Sequence, residues 1–221
     1  MRRKRRRRAE RLEPRQLLAA GNDLAFYEFT NNNASNQELF SVDTHAETVA
    51  SDISSPLPLG WTGNGDPPNG LALGGAFNET TEPTPAGGQP DYFELTVTPE
   101  SGYLMNTSRF SMQIRRNDPN SKNSYSVYFD NDPGPNGDNF TTKIATGVIT
   151  SEDVFERISV NVEGMPEFVD QTTALTIRVY AWGTAGTGTM RLDNIRVQEV
   201  QQTVSGSSLA YYGDSGRLIQ P

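Results

Sequence analysis

Apolar and polar residues alternate along much of the chain with a period of two, which is typical of β-strands. Each alternating stretch keeps its apolar residues on one face, so it predicts a strand of an antiparallel sheet that covers a core on one side. A first strand is predicted at 24–29. The clearest later stretches are 91–99, 109–116, 123–130, 157–162 and 174–182.

The segments between these stretches are rich in Pro, Gly, Asn and Asp, as turns and loops require. Residues 56–70 and 81–90 are the longest Pro/Gly loops of this kind. Many short strands separated by such loops predict a sandwich of two sheets. The sequence therefore predicts an all-β fold, a jelly-roll-like antiparallel β-sandwich, over residues 23–199. The alternation ends at about residue 200, and residues 200–221 are expected to be a linker or a disordered tail.

Charge is distributed unevenly between the two ends of the chain. Residues 1–15 carry nine Lys or Arg and two Glu, whereas the remaining residues carry ten Lys or Arg and 25 Asp or Glu, a net charge of −15. An acidic body repels phosphate backbones, so the folded domain is not expected to bind nucleic acid. Residues 1–22 are predicted to be a basic, disordered segment outside the fold.

This basic segment contains the motif L-E-P-R-x-L-L at residues 12–18. The motif resembles a sorting signal near the N-terminus of many bacterial exported proteins, frequent in planctomycetes, and it implies an extracellular or cell-surface location. The apolar run after it, residues 17–20, is shorter than the roughly 7–15 apolar residues of a secretory signal. No stretch reaches the roughly 18 apolar residues of a membrane span. The alternative is a basic tail that contacts RNA or anionic lipid.

Residues 175–197 alternate, pass through a Gly/Thr-rich turn and alternate again. They resemble the closing hairpin of jelly-roll modules, and residues 24–198 resemble carbohydrate-binding modules and galactose-binding-like domains. The resemblance implies an exported, non-catalytic module whose partner is a polysaccharide or another cell-surface polymer. It matches no single sugar-binding family, so no particular ligand follows. A structural or adhesive surface protein with a protein partner is the alternative, and a glycan-active hydrolase is a weaker one.

The chemistry available to the chain is limited by its composition. Cysteine is absent, which excludes disulfides and thiolate metal sites, and the only histidine, His45, lies in a polar stretch typical of a surface residue. Glycoside hydrolysis ordinarily uses a pair of carboxylates. None of the acidic residues lies in a stretch that marks such a pair.

The predicted ligand-binding residues are Arg178, Tyr180 and Trp182. The alternation of residues 174–182 places them on one face, opposite the apolar residues, and at about 3.4 Å per residue they form a ridge roughly 14 Å long. We expect this ridge to be exposed and to contact polysaccharide. The alternative is a covered face on which Arg178 pairs with a carboxylate. Residues 109–116 extend the ridge only if their strand lies in the same sheet.

Calcium is the expected cofactor, in a structural role. In jelly-roll binding modules an ion often ties the first strand to the last, and by this resemblance Glu28 and Asp193 are the candidate ligands. A bulge near Asp193 is expected to direct its carboxylate, although Asp193 could form that bulge without a metal. A second set of oxygens lies in the loop 130–138, where prolines break the EF-hand spacing and a polar hairpin loop is the alternative. That set is Asp130, Asp132, Asn136 and Asp138.

Overall fold

The computed structural model describes residues 23–29, 39–41, 43–62, 72–84, 91–116, 118–131, 140–152, 154–183 and 189–199. These residues form twelve strands and one short 3-10 helix, Pro166–Phe168. The predicted sorting segment and tail lie outside the described residues, so the predicted domain limits stay predictions. In chain order the strands are β1 Asp23–Tyr27, β2 Asp43–Thr44, β3 Thr48–Ala50, β4 Leu59–Thr62, β5 Ala72–Ala76, β6 Tyr92–Pro99, β7 Thr107–Arg116, β8 Ser124–Asp130, β9 Thr142–Val148, β10 Glu156–Asn161, β11 Leu175–Trp182 and β12 Thr189–Glu199.

The strands form two antiparallel sheets, which confirms the predicted jelly-roll-like sandwich. Sheet A has the order β10-β7-β12-β1-β2, and β5 and β4 extend it beside β12. The long strand β12 organises this sheet, because β7 pairs with one of its edges while β5 and β1 share the other. Sheet B has the order β3-β6-β11-β8-β9.

The core lies between the two sheets and is built by the apolar faces that the alternation predicted. From sheet A it receives residues such as Phe110 and Ile114 of β7, and from sheet B residues such as Val127 of β8 and Ile177 of β11. All four are at most 1% exposed. Both sheets therefore turn their polar residues outward, and any ligand surface has to lie on an outer face, on an edge or in a loop.

Two local predictions are wrong. Residues 175–197 do not form a hairpin, because β11 lies in sheet B and β12 in sheet A. The two strands cover the same core from opposite sides, and alternation alone cannot distinguish that arrangement from a hairpin. The predicted loop 56–70 contains strand β4, which pairs only with β5 among the described strands and is too short to show an alternating pattern.

Candidate ligand-binding surfaces

The outer face of sheet B carries the residues predicted to bind ligand. Arg178, Tyr180 and Trp182 share the face of β11 that points away from the core, as predicted. Arg178 and Tyr180 are only 7% and 1% exposed, so the predicted exposure of the ridge is wrong for these two. Trp182 is half-buried. Their role in ligand binding stays a prediction.

Aromatic rings and a carboxylate enclose Arg178. Its Nε donates to Glu94 Oε2 at 2.6 Å. Its guanidinium carbon lies 4.2 Å from the centre of the Tyr92 ring and 3.9 Å from that of Phe140. Such cation–π contacts are strongest where water is excluded. The structure thus matches the alternative considered for this residue, a covered arginine paired with a carboxylate.

Tyr180 lies in the same outer cluster. Its ring centre is 5.4 Å from that of Tyr92 and 5.6 Å from that of Tyr128, distances at which aromatic pairs attract each other. Burial raises the pKa of the Tyr180 hydroxyl to about 12. Tyr128 in turn donates to the backbone oxygen of Pro83 at 3.4 Å. A small second core therefore lies on this side of the sheet, beneath chain segments that precede β6 and β9.

A chain of hydrogen bonds fixes the edge of Trp182. Its Nε1 donates to Ser126 Oγ at 3.0 Å, and Ser126 Oγ donates to Glu82 Oε1 at 2.6 Å. Lys143 Nζ lies 2.9 Å from the same Glu82 oxygen. The hydrogen bond from Lys143, and then that from Ser126, lower the pKa of Glu82. The segment containing Glu82 is thus tied down across the outer face of sheet B.

The outer face of sheet A is different, because it contains an open cleft with a volume of about 310 Å³. The residues that line it come from the three adjacent strands β10, β7 and β12. The described residues lining it include hydroxyl, amide and guanidinium groups but no carboxylate. They are Ser111, Met112, Gln113, Arg157, Asn194, Arg196 and Gln198.

A β-bulge in β12 shapes this cleft. The pairing of β12 with β7 shifts register between Asp193 and Arg196. Asn194 has a φ of 47°, in the left-handed region that asparagine tolerates better than most residues. The extra residue restores the apolar side chains Ile195 and Val197 to the core face. The bulge predicted near Asp193 is therefore confirmed.

Short polar contacts hold the floor of the cleft. Asn194 Nδ2 donates to Gln113 Oε1 at 2.7 Å. Arg196 Nη1 donates to Asp23 Oδ2 at 2.6 Å, and Gln198 Nε2 donates to Asp23 Oδ1 at 2.8 Å. The guanidinium carbon of Arg196 also lies 3.6 Å from the centre of the Phe26 ring. These side chains are consequently positioned before any ligand arrives.

Arg157 differs from the other charged residue of the cleft. Its side chain is exposed. Within the part of the chain that the structure describes, its guanidinium has no ion pair, whereas Arg196 pairs with Asp23. Its neighbour across the strand pair is Gln113, which places it at the wall of the cleft. An exposed guanidinium beside amide groups can donate several hydrogen bonds to one ligand.

The predicted calcium ligands lie close to the bulge. Tyr27 pairs with Ile195, so Glu28 follows β1 beside this part of β12. Asp193 is 1% exposed, and its Oδ1 accepts from the backbone N of Asn194 at 2.8 Å. Among the described residues, no three His, Asp or Glu side chains are grouped so that they could hold an ion. Since calcium takes about 6–8 oxygens, carbonyls or waters would have to complete this site.

Three other features named from the sequence are the second calcium loop, His45 and residues 109–116. Residues 132–139 of the second calcium loop lie outside the described residues, and Asp130 ends β8. His45 Nε2 lies 3.7 Å from Glu199 Oε2, and its ring packs near Tyr103 at 5.7 Å between centres. Strand β7 belongs to sheet A, so residues 109–116 do not extend the β11 face. They form part of the cleft instead.

Comparisons with known proteins give similarity at the level of architecture. No protein-family profile and no curated protein sequence matches the chain. Among solved structures it is similar to the CBM22-1 xylan-binding domain of Xyn10C from Paenibacillus barcinonensis, at 10% identity and a TM-score of 0.46, covering 82% of this chain and 96% of that one. It is also similar to a putative sugar binding protein from Bacteroides thetaiotaomicron, at 10% identity and a TM-score of 0.43, covering 78% and 100%.

A third similar structure is the K3 cleaved adhesin domain of Lys-gingipain from Porphyromonas gingivalis, at 13% identity and a TM-score of 0.36. It covers 69% of this chain and 90% of that chain. Among the described residues, no helix has the length and apolar character that a membrane crossing requires. What this chain binds therefore has to be argued from its own side chains.

Sequence reasoning missed the cleft because its lining comes from three strands that are distant in the chain. Alternation placed Gln113 on an outward face, and the parity change around Asp193 indicated the bulge. Neither signal shows that β7 pairs with both β10 and β12. The pairing is what brings Arg157 to the amide groups of Gln113 and Asn194.

Proposed function

We propose that this chain is an exported, non-catalytic module that binds a glycan or a cell-surface polymer through an outer face of its sandwich. The observation that carries the proposal is the open cleft of sheet A, with its amide and guanidinium lining. Amide and guanidinium groups donate hydrogen bonds in pairs, which suits the neighbouring hydroxyls of a sugar ring. Because contacts with Asp23 and Gln113 already position the floor, binding orders few side chains.

The lining favours binding over hydrolysis. Glycosidases usually place two carboxyl groups about 5–9.5 Å apart around the scissile bond. The described residues of the cleft include none, and the nearby Asp23 is engaged by Arg196 and Gln198. Two of the exposed large apolar residues, Val49 and Val148, lie on opposite edge strands of sheet B and therefore form no common patch for a protein partner.

The export part of the proposal is supported by the motif at residues 12–18. Deletion of residues 1–20 is expected to change where the protein accumulates in its host and to leave its Tm unchanged, because the strands described here begin at Asp23. Cell fractionation and thermal unfolding measure the two effects. Unchanged localisation would contradict the sorting role, and a lower Tm would show that the segment contributes to the fold.

The predicted residues Arg178, Tyr180 and Trp182 on sheet B are the alternative binding surface to the cleft of sheet A. Of these three residues, only the half-buried Trp182 is accessible enough to stack on a sugar while the covering segments stay in place. Contact by Arg178 and Tyr180 requires the segments that carry Glu82 and Phe140 to move away first.

Variants on each face separate the two surfaces. Binding of soluble neutral and acidic polysaccharides to the full chain is measured by affinity electrophoresis and calorimetry, with Gln113→Ala for sheet A and Trp182→Ala for sheet B. We expect Gln113→Ala to weaken binding about tenfold, the scale of one or two lost hydrogen bonds, and Trp182→Ala to have little effect. A large loss of affinity in Trp182→Ala, with little change in Gln113→Ala, would show that the binding site lies on sheet B. Absence of binding to every polysaccharide would refute the proposed function.

A structural calcium ion at Glu28 and Asp193 is a further part of the proposal. The support is their position beside the bulge, where an ion would connect β1 to β12. An ion that binds only the folded state raises stability. Treatment with EDTA is therefore expected to lower the Tm of the full chain by several degrees, and added calcium to restore it. A Tm that EDTA does not change would exclude the ion.

A further inference from the structure

Given the glycan-binding function proposed above, on which this step rests, we infer that the cleft of sheet A selects anionic glycans. Their sugars carry carboxylate or sulfate groups, and Arg157 is the residue that recognises the anionic group. The inference adds a ligand class and a specificity-determining residue to the proposed site. It depends on how charge is distributed over the outer face of sheet A.

Positive charge is concentrated on this face. Beyond residue 15 the chain has ten Lys or Arg against 25 Asp or Glu. Five of those ten, all within the described residues, occupy outward positions on sheet A, as strand alternation and pairing show. They are Arg109, Arg115, Arg157, Arg191 and Arg196. Half of the Lys and Arg residues beyond residue 15 therefore lie on one face of an otherwise acidic domain.

Two carboxylates that lie among these arginines, Asp23 and Asp193, are buried. Asp23 is 3% exposed and Asp193 is 1% exposed. Asp23 binds Arg196 and Gln198, and Asp193 accepts from the backbone of Asn194. On β7 and β10, by contrast, the outward charges Arg109 and Arg157 are exposed. A ligand approaching the cleft along these two strands therefore meets positive charge.

Arg157 is the cation best placed to contact a ligand in the cleft. Its planar guanidinium can donate two parallel hydrogen bonds to a carboxylate or a sulfate. Since its charge is not engaged by an acid in the described part of the chain, an incoming anion displaces no ion pair with a described residue. The adjacent amide of Gln113 can bind the hydroxyls of the same sugar.

Two further arginines of this face lie beyond the cleft. Arg115 and Arg191 occupy directly opposite positions on β7 and β12. Burial, and then the charge of Arg115, lower the pKa of Arg191, whereas the charge of Asp118 raises it. Arg115 and Arg191 are only 9% and 8% exposed, so direct contact with a ligand is assigned to the exposed Arg109 and Arg157.

The spacing of the exposed arginines fits a polymer better than a single sugar. Arg157 pairs with Gln113, which lies four residues from Arg109 on β7. At about 3.3 Å per residue, the two arginines are roughly 13 Å apart along the strands. That separation exceeds one sugar ring, so a chain with repeated acidic groups could contact both.

Nucleic acid fits this face less well than an acidic glycan. Duplex DNA carries one charge per about 1.7 Å, and the remainder of this acidic body repels so dense a polyanion. A uronate polymer has at most one carboxylate per sugar and also offers hydroxyls to the amides of the cleft. The combination of a few arginines with Gln113, Asn194 and Gln198 therefore favours the glycan.

The test compares polymers that differ only in charge. Binding of the full chain to polygalacturonate is measured against its methyl-esterified form, and dextran sulfate against dextran distinguishes sulfate from carboxylate recognition. We expect the chain to prefer one of the two charged polymers. Both neutral polymers should bind at least about tenfold more weakly than that one, as loss of a charge-assisted hydrogen bond implies. Equal binding of the charged and neutral forms of both polymers would overturn the inference.

Matched variants identify the residue. Arg157→Gln is expected to lower the affinity for the charged polymer about tenfold and to weaken its salt dependence, with an unchanged urea midpoint. Lys143→Gln removes the same charge from sheet B and is expected to change the affinity less than about twofold. Equal losses in the two variants would mean attraction to net charge rather than recognition by Arg157.

Two further outcomes separate this inference from the function on which it rests. Binding of a neutral polysaccharide that Gln113→Ala weakens, with no binding of either charged polymer, would overturn the anionic ligand class and leave the glycan-binding function in place. Binding of an oligothymidylate as tight as that of the charged glycan would overturn the glycan class itself.

Discussion

The outer faces of the two sheets share the same sequence pattern but have different surfaces. On sheet B, Arg178 and Tyr180 lie beneath aromatic rings and beside a carboxylate, and a network centred on Glu82 holds a covering segment in place. On sheet A, Gln113 and Arg157 line an open cleft. The comparison shows that an outward position on a strand means exposure only where no other segment crosses the sheet.

The largest difference between the faces is expected in stability. Arg178→Ala leaves Glu94 without its partner and opens a space between Tyr92 and Phe140, so we expect a loss of about 3 kcal/mol in the free energy of unfolding. Arg157→Ala, on the open face, is expected to change it by less than about 0.5 kcal/mol. Urea denaturation of both variants measures the contrast. Similar losses would contradict the division into a covered and an open face.

The bulge of sheet A gives the next largest expected effect. Asn194→Val forces a β-branched residue into a left-handed backbone conformation and is expected to cost about 1–3 kcal/mol. Asn194→Gly keeps that conformation accessible and serves as the control, since it removes the side chain, with its bond to Gln113, without straining the backbone. Thermal unfolding compares the two variants. Equal losses would show that the side chain, rather than the backbone, accounts for the effect.

The smallest expected effect concerns the pH dependence of the covered face. The folded state lowers the pKa of Glu82 below its ordinary value of 4.5, so the ionised carboxylate stabilises the protein above that pH and the stabilisation is lost as the pH falls through the folded pKa. Glu82→Gln should therefore be less stable than the wild type at pH 7, by less than about 1 kcal/mol. The difference should shrink as the pH falls below about 4.5. Urea midpoints at several pH values test this, and a difference independent of pH would exclude the ionic contribution.

The sequence was sufficient to predict where strands lie and which side chains share a face, but not which strands pair with each other. Period-two alternation identified β6, β7, β8, β10 and β11, and it placed Arg178, Tyr180 and Trp182 on the correct side of β11. The parity change around Asp193 predicted the bulge. Each of these properties is local, since it depends on residues within one strand.

Properties that depend on distant segments could not be predicted. Phe140 covers Arg178 from a position 38 residues earlier in the chain, and no feature of either local sequence indicates this contact. The assignment of β11 and β12 to different sheets, and the assembly of the cleft from β10, β7 and β12, are likewise decided by pairing. The candidate site therefore emerged only from the three-dimensional arrangement.

The pairing of the first and last strands has a mechanical consequence. Asp23 at the start of β1 is the partner of Gln198 near the end of β12, so the chain enters β1 and leaves β12 at the same end of the sandwich. A force that pulls these two ends apart acts perpendicular to the paired strands β1 and β12. It opens the hydrogen bonds between them one pair after another, beginning at Asp23 and Gln198. A module tethered through both ends would thus peel open under low load, whereas tethered through one end it would transmit no tension through its sheets. Single-molecule pulling from positions 23 and 198 would record this as a low unfolding force.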